Sequence, residues 1–237
     1  VRSLDGLPLG YADLVQNATG DRVTAKLNFH FKDGSLREET TVYTERQFLR
    51  LVSNHVVMKG PAFQMAMEST IDAQTGQVRV RYTDNDGHEK VIEKRMDMPD
   101  DLANGLLMVL LKNIAPEAPK TTVSILAFTP DPRMVKLEFT RGADDVFYVS
   151  GSKRTALRYV VKVNVPGVVG VVASVPGKTP SDSQVWILGG EAPTFVKAET
   201  GAFSGGTGGS IWRLELASPT WPQTGKAPQA RRPKARK

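Results

Sequence analysis

The chain has 237 residues, 40% of them hydrophobic and 24% charged, a globular composition that excludes wholesale disorder. It has no cysteine, which excludes disulfides, thiol nucleophiles and thiolate metal sites. The net charge of +6 is local: Lys226, Arg231, Arg232, Lys234, Arg236 and Lys237 fall in the last twelve residues, and the other 25 Lys and Arg balance 25 Asp and Glu. The body is therefore neutral, and bulk charge gives no support to a nucleic-acid partner. Its apolar stretches are shorter than the ~20 residues that cross a bilayer as a helix. A start at Val1 rather than Met fits a cleaved signal peptide and fits trimming equally.

In chain order, residues 1–20 carry Gly6, Pro8, Gly10 and Gly20 and read as a loosely attached leading segment with a short helix near 11–16. From Arg22 the period is two: Val23, Ala25, Leu27, Phe29 and Phe31 alternate with polar neighbours, the mark of a strand with one buried face. Asp33-Gly34 is a hairpin turn signal, and 36–43 reads as the partner strand. Residues 48–57 fit strand or helix. Residues 63–71 place Phe63, Met65, Met67, Ser69 and Ile71 on one strand face. Two further strands, 78–82 and 88–96, flank the Asp84-Asn85-Asp86-Gly87 turn with the spacing of an antiparallel meander.

One strong helix is predicted after Pro99, with Asp100 capping it and Asp101 complementing its positive end. Leu102, Leu106, Val109, Leu110 and Asn113 trace one stripe, and Leu107, Met108 and Leu111 widen it. Such a helix is buried rather than surface-lying. Strands follow at 121–128, 135–139, 146–149, 157–165, 185–188, 194–199 and 211–216. Between them lie the apolar run Gly167-Val168-Val169-Gly170-Val171-Val172-Ala173 and the loop Gly205–Gly209. The expected fold is mainly β, of the α+β class: a curved antiparallel sheet or half-barrel wrapped around one buried helix, with a β-sandwich as the alternative. The expected organisation is a leading segment 1–20, one β-rich domain over 21–218, and a disordered basic tail 219–237.

Chemistry-bearing motifs are scarce. His30, His55 and His88 have no metal-ligand spacing. Asp84–Gly87 with Glu89 superficially matches a calcium loop, but the flanks are strands and the residues are those of a tight turn. Asp100-Asp101 and Asp144-Asp145 are adjacent, so on a strand each pair splits between two faces. No nucleophile elbow, phosphate loop or dinucleotide fingerprint is present. The expectation is a protein without catalytic residues, metal or cofactor. The sharper candidate is apolar. Phe63, Met65, Met67, Leu106, Leu110 and Trp186 would wall a cavity for a hydrophobic small molecule or lipid, with Gly167 and Gly170 hinging a flap over it. Core packing explains the same residues, so a structural or protein-interaction domain without a ligand is the alternative, and an enzyme of unrecognised type the third reading. The basic tail would be either a solvated end or a contact for anionic membrane surface.

The run from Val165 to Pro219 contains Gly177-Lys178-Thr179-Pro180, Trp186-Ile187, Pro193-Thr194-Phe195-Val196 and Trp212-Arg213-Leu214-Glu215-Leu216. It resembles a group of uncharacterised exported bacterial proteins with Gly-Lys-x-Pro, Trp-Ile, Pro-x-Phe-Val and Trp-Arg-x-Glu-Leu in that order. The 72–76 turn, the 99–114 helix and the Trp186 strand are similar to a wider set of periplasmic proteins related to the lipoprotein-carrier half-barrel. The group carries Gly-Pro before its last Trp-Arg, where this chain has Gly209-Ser210. The resemblance implies a half-barrel and a periplasmic or secreted location, and it implies no activity.

Overall fold

The computed structural model describes residues 1–84, 86–115, 117–128, 131–149, 152–164, 182–190, 193–201 and 211–217. The 165–175 run with Gly167 and Gly170, the Gly205–Gly209 loop and the basic tail lie outside the described residues.

The first half is an uninterrupted meander. Strands β1 (Gly10–Thr19), β2 (Arg22–Phe31), β3 (Leu36–Glu45), β4 (Leu49–Lys59), β5 (Met67–Asp72), β6 (Gln77–Thr83) and β7 (Glu89–Arg95) form one antiparallel sheet in sequence order. The alternation read from the sequence sets its faces. Val23, Ala25, Leu27 and Phe29 of β2 are buried, as are Met67, Ser69 and Ile71 of β5. Gly34 turns the β2–β3 hairpin at φ +85°, a conformation a side chain disfavours, and Asp33 Oδ1 accepts the Ser35 amide at 2.9 Å.

The second half builds another antiparallel sheet from β8 (Lys120–Phe128), β9 (Pro132–Arg141), β10 (Asp145–Val149), β11 (Ser152–Asn164), β12 (Ser183–Leu188), β13 (Thr194–Thr200) and β14 (Trp212–Glu215). Its order is β14-β13-β12-β11-β9-β8, with β10 paired to β11. A single hydrophobic core joins the two sheets: Phe29, Val56 and Ile71 belong to it with Phe139, Val161 and Ile187. The expected mainly β fold of the α+β class holds, with two open antiparallel sheets in place of one. The fourteen strands among the described residues exceed the ~10 that a strongly twisted open sheet carries before it splits.

The one helix among the described residues, α1 (Leu107–Asn113), is shorter than the sequence pattern suggests and starts later. Gly105 has φ +72°, outside the right-handed helical region, so the helix cannot extend back to Asp100. A Cβ at Gly105 would collide with Thr41 Oγ1 and lie 2.8 Å from Asn54 Nδ2, so only glycine lets this chain approach the first sheet. Asp100 therefore caps nothing; the N-cap is Leu106, without a side-chain cap bond. The leading segment also departs from expectation. Residues 11–16 are strand, not helix, because β1 pairs with β2 along its whole length, and tertiary pairing overrides an ambiguous local pattern. The strand expected over 63–71 begins only at Met67.

Candidate binding site beneath the helix

Between α1 and the inner face of the second sheet lies a cavity of about 30 Å³. Leu107, Met108 and Leu111 of α1 form its roof; Phe139, Val161, Val185, Phe195, Ala198 and Leu214 form most of its floor. Thr200 is the one polar residue in the lining. The volume matches the share of one water molecule in the liquid, while small-molecule pockets run to ~300 Å³ and more. A larger ligand fits only if α1 moves.

The anchoring of α1 is uneven. Just before the helix, Asn104 bonds β8 twice: its Oδ1 accepts the Leu126 amide at 2.8 Å and its Nδ2 donates to the Leu126 carbonyl at 2.9 Å. Asp101 Oδ1 accepts from Ser124 Oγ at 2.6 Å, and Lys136 Nζ donates to Asp101 Oδ2 at 2.9 Å and to Ser124 Oγ at 2.7 Å. Beyond Leu110, no hydrogen bond among the described residues ties α1 to either sheet; the Asn113 amide bonds within the helix, to the Val109 carbonyl.

The residues predicted from sequence are scattered. Phe63 is buried, with its ring 5.8 Å from Phe31 and 5.9 Å from Trp212, and so links the two sheets. Met65 is half-buried in the turn before β5, and Met67 is buried on the inner face of the first sheet. Leu106 is buried and Leu110 half-buried in the core, but neither lines the cavity. Trp186 stands apart. Its neighbours Val185 and Ile187 point into the core, while Trp186 occupies the opposite face in register with Arg158 and Lys197. There Lys197 Nζ lies 3.8 Å from its ring centre and Asp145 accepts its indole N–H. The helix residues that do line the cavity, Leu107, Met108 and Leu111, were visible only as the widening of the apolar stripe.

Polar groups fall into three settings. In the first sheet's buried face, Arg37 pairs with Glu39 at 3.0 Å, and Asn54 Nδ2 donates to Glu39 Oε1 and to Thr41 Oγ1 at 2.9 Å each. Nothing in composition or spacing announced this interior ion pair. On the outer face, Glu68 meets His55 Nε2 at 2.9 Å and Arg81; hydrogen bonds from both hold its carboxyl below the usual range. At the β6–β7 turn, Asp84, Asp86 and His88 offer atoms within 4.8 Å of one another. Asp84 Oδ1 already accepts the amides of Asp86 and His88, so these groups serve the turn. The Ser124–Lys136 contact has the spacing of an activated nucleophile, but Ser124 is fully buried and no substrate carbonyl reaches its hydroxyl.

No family model matches the chain, and no curated protein matches it. Among solved structures, a crystal structure of a DUF1089 family protein from Pseudomonas aeruginosa is similar over 81% of this chain and 90% of that one, at 12% identity and a TM-score of 0.37. At that score the likeness carries no argument about fold or function.

Proposed function

We propose that the protein is a non-catalytic binding protein that takes an apolar ligand, such as a lipid acyl chain, between α1 and the second sheet. The observation that supports this is the apolar cavity under a helix that, among the described residues, is anchored by hydrogen bonds at only one end. Sheet and helix already supply apolar walls; swinging the far end of α1 outward enlarges the space without breaking the Asn104 clamp. Met108 suits a wall that must repack around different ligands. Export to the periplasm or the medium is part of the same proposal; it draws on the resemblance of the 165–219 stretch, and cell fractionation tests it.

The test is titration with a dansyl-labelled fatty acid, whose emission rises on leaving water. The wild-type chain should enhance and blue-shift the emission saturably. Ala198→Leu fills the floor of the cavity and should weaken that response while leaving the urea unfolding transition cooperative. Absence of a response from the wild-type chain, or an equal response from the filled variant, would overturn the proposal.

A further inference from the structure

Every sheet has edges, and an edge of unpaired amides and carbonyls invites another strand. In this fold most are dealt with. On β8, the Ala103 amide donates to the Ser124 carbonyl at 2.8 Å, the Ser124 amide donates to the Asp101 carbonyl at 3.1 Å, and Asn104 takes both main-chain groups of Leu126. On β14, Arg2 and Arg213 exchange main-chain hydrogen bonds at 2.8 Å. The edge strand β7 is Glu-Lys-Val-Ile-Glu-Lys-Arg, dense in charge, and β10 is only five residues long. Beyond Gly10, strand β1 has none of these protections among the described residues. It is ten residues long with one charge, Asp13, and no Pro, Lys or Arg. Tyr11 is 59% exposed, Leu14 43% and Val15 53%.

The main-chain polarity of β1 follows from its neighbours. The Leu9 carbonyl accepts the Lys32 amide, toward β2, while Gly10 turns the other way and bonds Val1, its amide to the Val1 carbonyl at 3.3 Å and its carbonyl from the Val1 amine at 3.0 Å. Strand alternation then aims the amides and carbonyls of Ala12, Leu14, Gln16 and Ala18 away from β2. No described residue pairs with them.

We infer that β1 is a homodimer edge, on which a second copy of this chain adds its own β1 antiparallel about a two-fold axis at Val15. The free stretch runs from Ala12 to Ala18 and is centred on Val15, so this register uses every open main-chain group and leaves the Val1–Gly10 bonds intact. Ala12 then faces the second copy's Ala18 and Leu14 its Gln16, each pair exchanging both main-chain hydrogen bonds. Val15 faces Val15 as a close, non-hydrogen-bonded pair, which is where cross-strand side chains contribute most. Asp13 faces Asn17, so no like charges oppose. A nearly uncharged, self-complementary strand favours a second copy over an acidic or basic partner, and the two-fold is closed, so pairing stops at a dimer.

The experiment is light scattering after size exclusion over a dilution series, on the full chain and two variants. The wild type should show twice its 25.9 kDa mass at high concentration. Val15→Lys and Val15→Glu each put like charges at the two-fold and should each raise the dimer dissociation constant by about tenfold or more. An equimolar mixture of the two should restore the dimer, which simple misfolding cannot do. A wild type that stays at 25.9 kDa throughout the series, or a dimer that both variants leave unchanged, would overturn the inference.

Discussion

Truncating the cavity roof should expose how the helix is held. Leu111 is 2% exposed and packs over the cavity floor. Leu111→Ala removes three carbons, about 2.4 kcal/mol at ~0.8 kcal/mol per buried methylene. The void left behind brings the total to about 3–5 kcal/mol when the surroundings do not collapse. The existing cavity is the scale for the opposite change. At ~24 cal/mol per Å³, filling about 30 Å³ returns no more than about 0.7 kcal/mol, so Ala198→Val should be neutral to slightly stabilising. Equilibrium urea unfolding at constant m-value measures both. Benzene at a hundredfold excess over its dissociation constant should recover about 2.7 kcal/mol in Leu111→Ala and little in the wild type. A loss below about 1 kcal/mol for Leu111→Ala would mean that α1 is not a load on the core, and the account of the cavity would fail.

Breaking the interior ion pair by Arg37→Met should cost about 3–5 kcal/mol by leaving Glu39 charged and buried, while adding Glu39→Leu should recover most of it; urea unfolding of both variants decides. The Tyr159 hydroxyl is buried with no partner among the described residues, and burial pushes its pKa up, so Tyr159→Phe should leave stability unchanged or raise it by about 1 kcal/mol; a clear loss in thermal unfolding would refute that. Burial tends to raise the Asp101 carboxyl, but the hydrogen bonds from Ser124 and Lys136 and the Lys136 charge outweigh it and hold the pKa below the ordinary value. Its contribution is therefore complete above the unfolded pKa of ~3.9 and lost as pH falls through the lower folded value. Wild type should lose more stability than Asp101→Asn on titration below pH ~4, and parallel acid-unfolding curves would contradict this.

What was legible in the sequence was what period two can encode. The alternation of 23–31 and the Asp33-Gly34 and Asp84–Gly87 turn signals predicted the meander, and the buried faces of β2 and β5 are those the pattern named. The helix start was not legible. Pro99-Asp100-Asp101 has the composition of a cap, yet Asp101 serves β8 and β9 through Ser124 and Lys136, and Gly105 sets the boundary through a close approach to Thr41. These are long-range contacts, which no local pattern carries. Trp186 is a different case: its place in the alternation, between Val185 and Ile187, was legible and puts it on the other face, but an aromatic in an apolar strand was read as core all the same. The strand β1 was missed because Tyr11, Leu14 and Val15 also fit a helical spacing, and only pairing with β2 decides between the two.

The ligand proposed for the space beneath α1 is apolar and should be detectable on the purified chain. Native mass spectrometry of the purified chain, with organic extraction of the same sample and a second spectrum after incubation with phospholipid vesicles, tests it most directly. The expected result is a one-to-one apolar adduct that weakens in Ala198→Leu. A bare chain mass in both spectra, with nothing extracted, would contradict it.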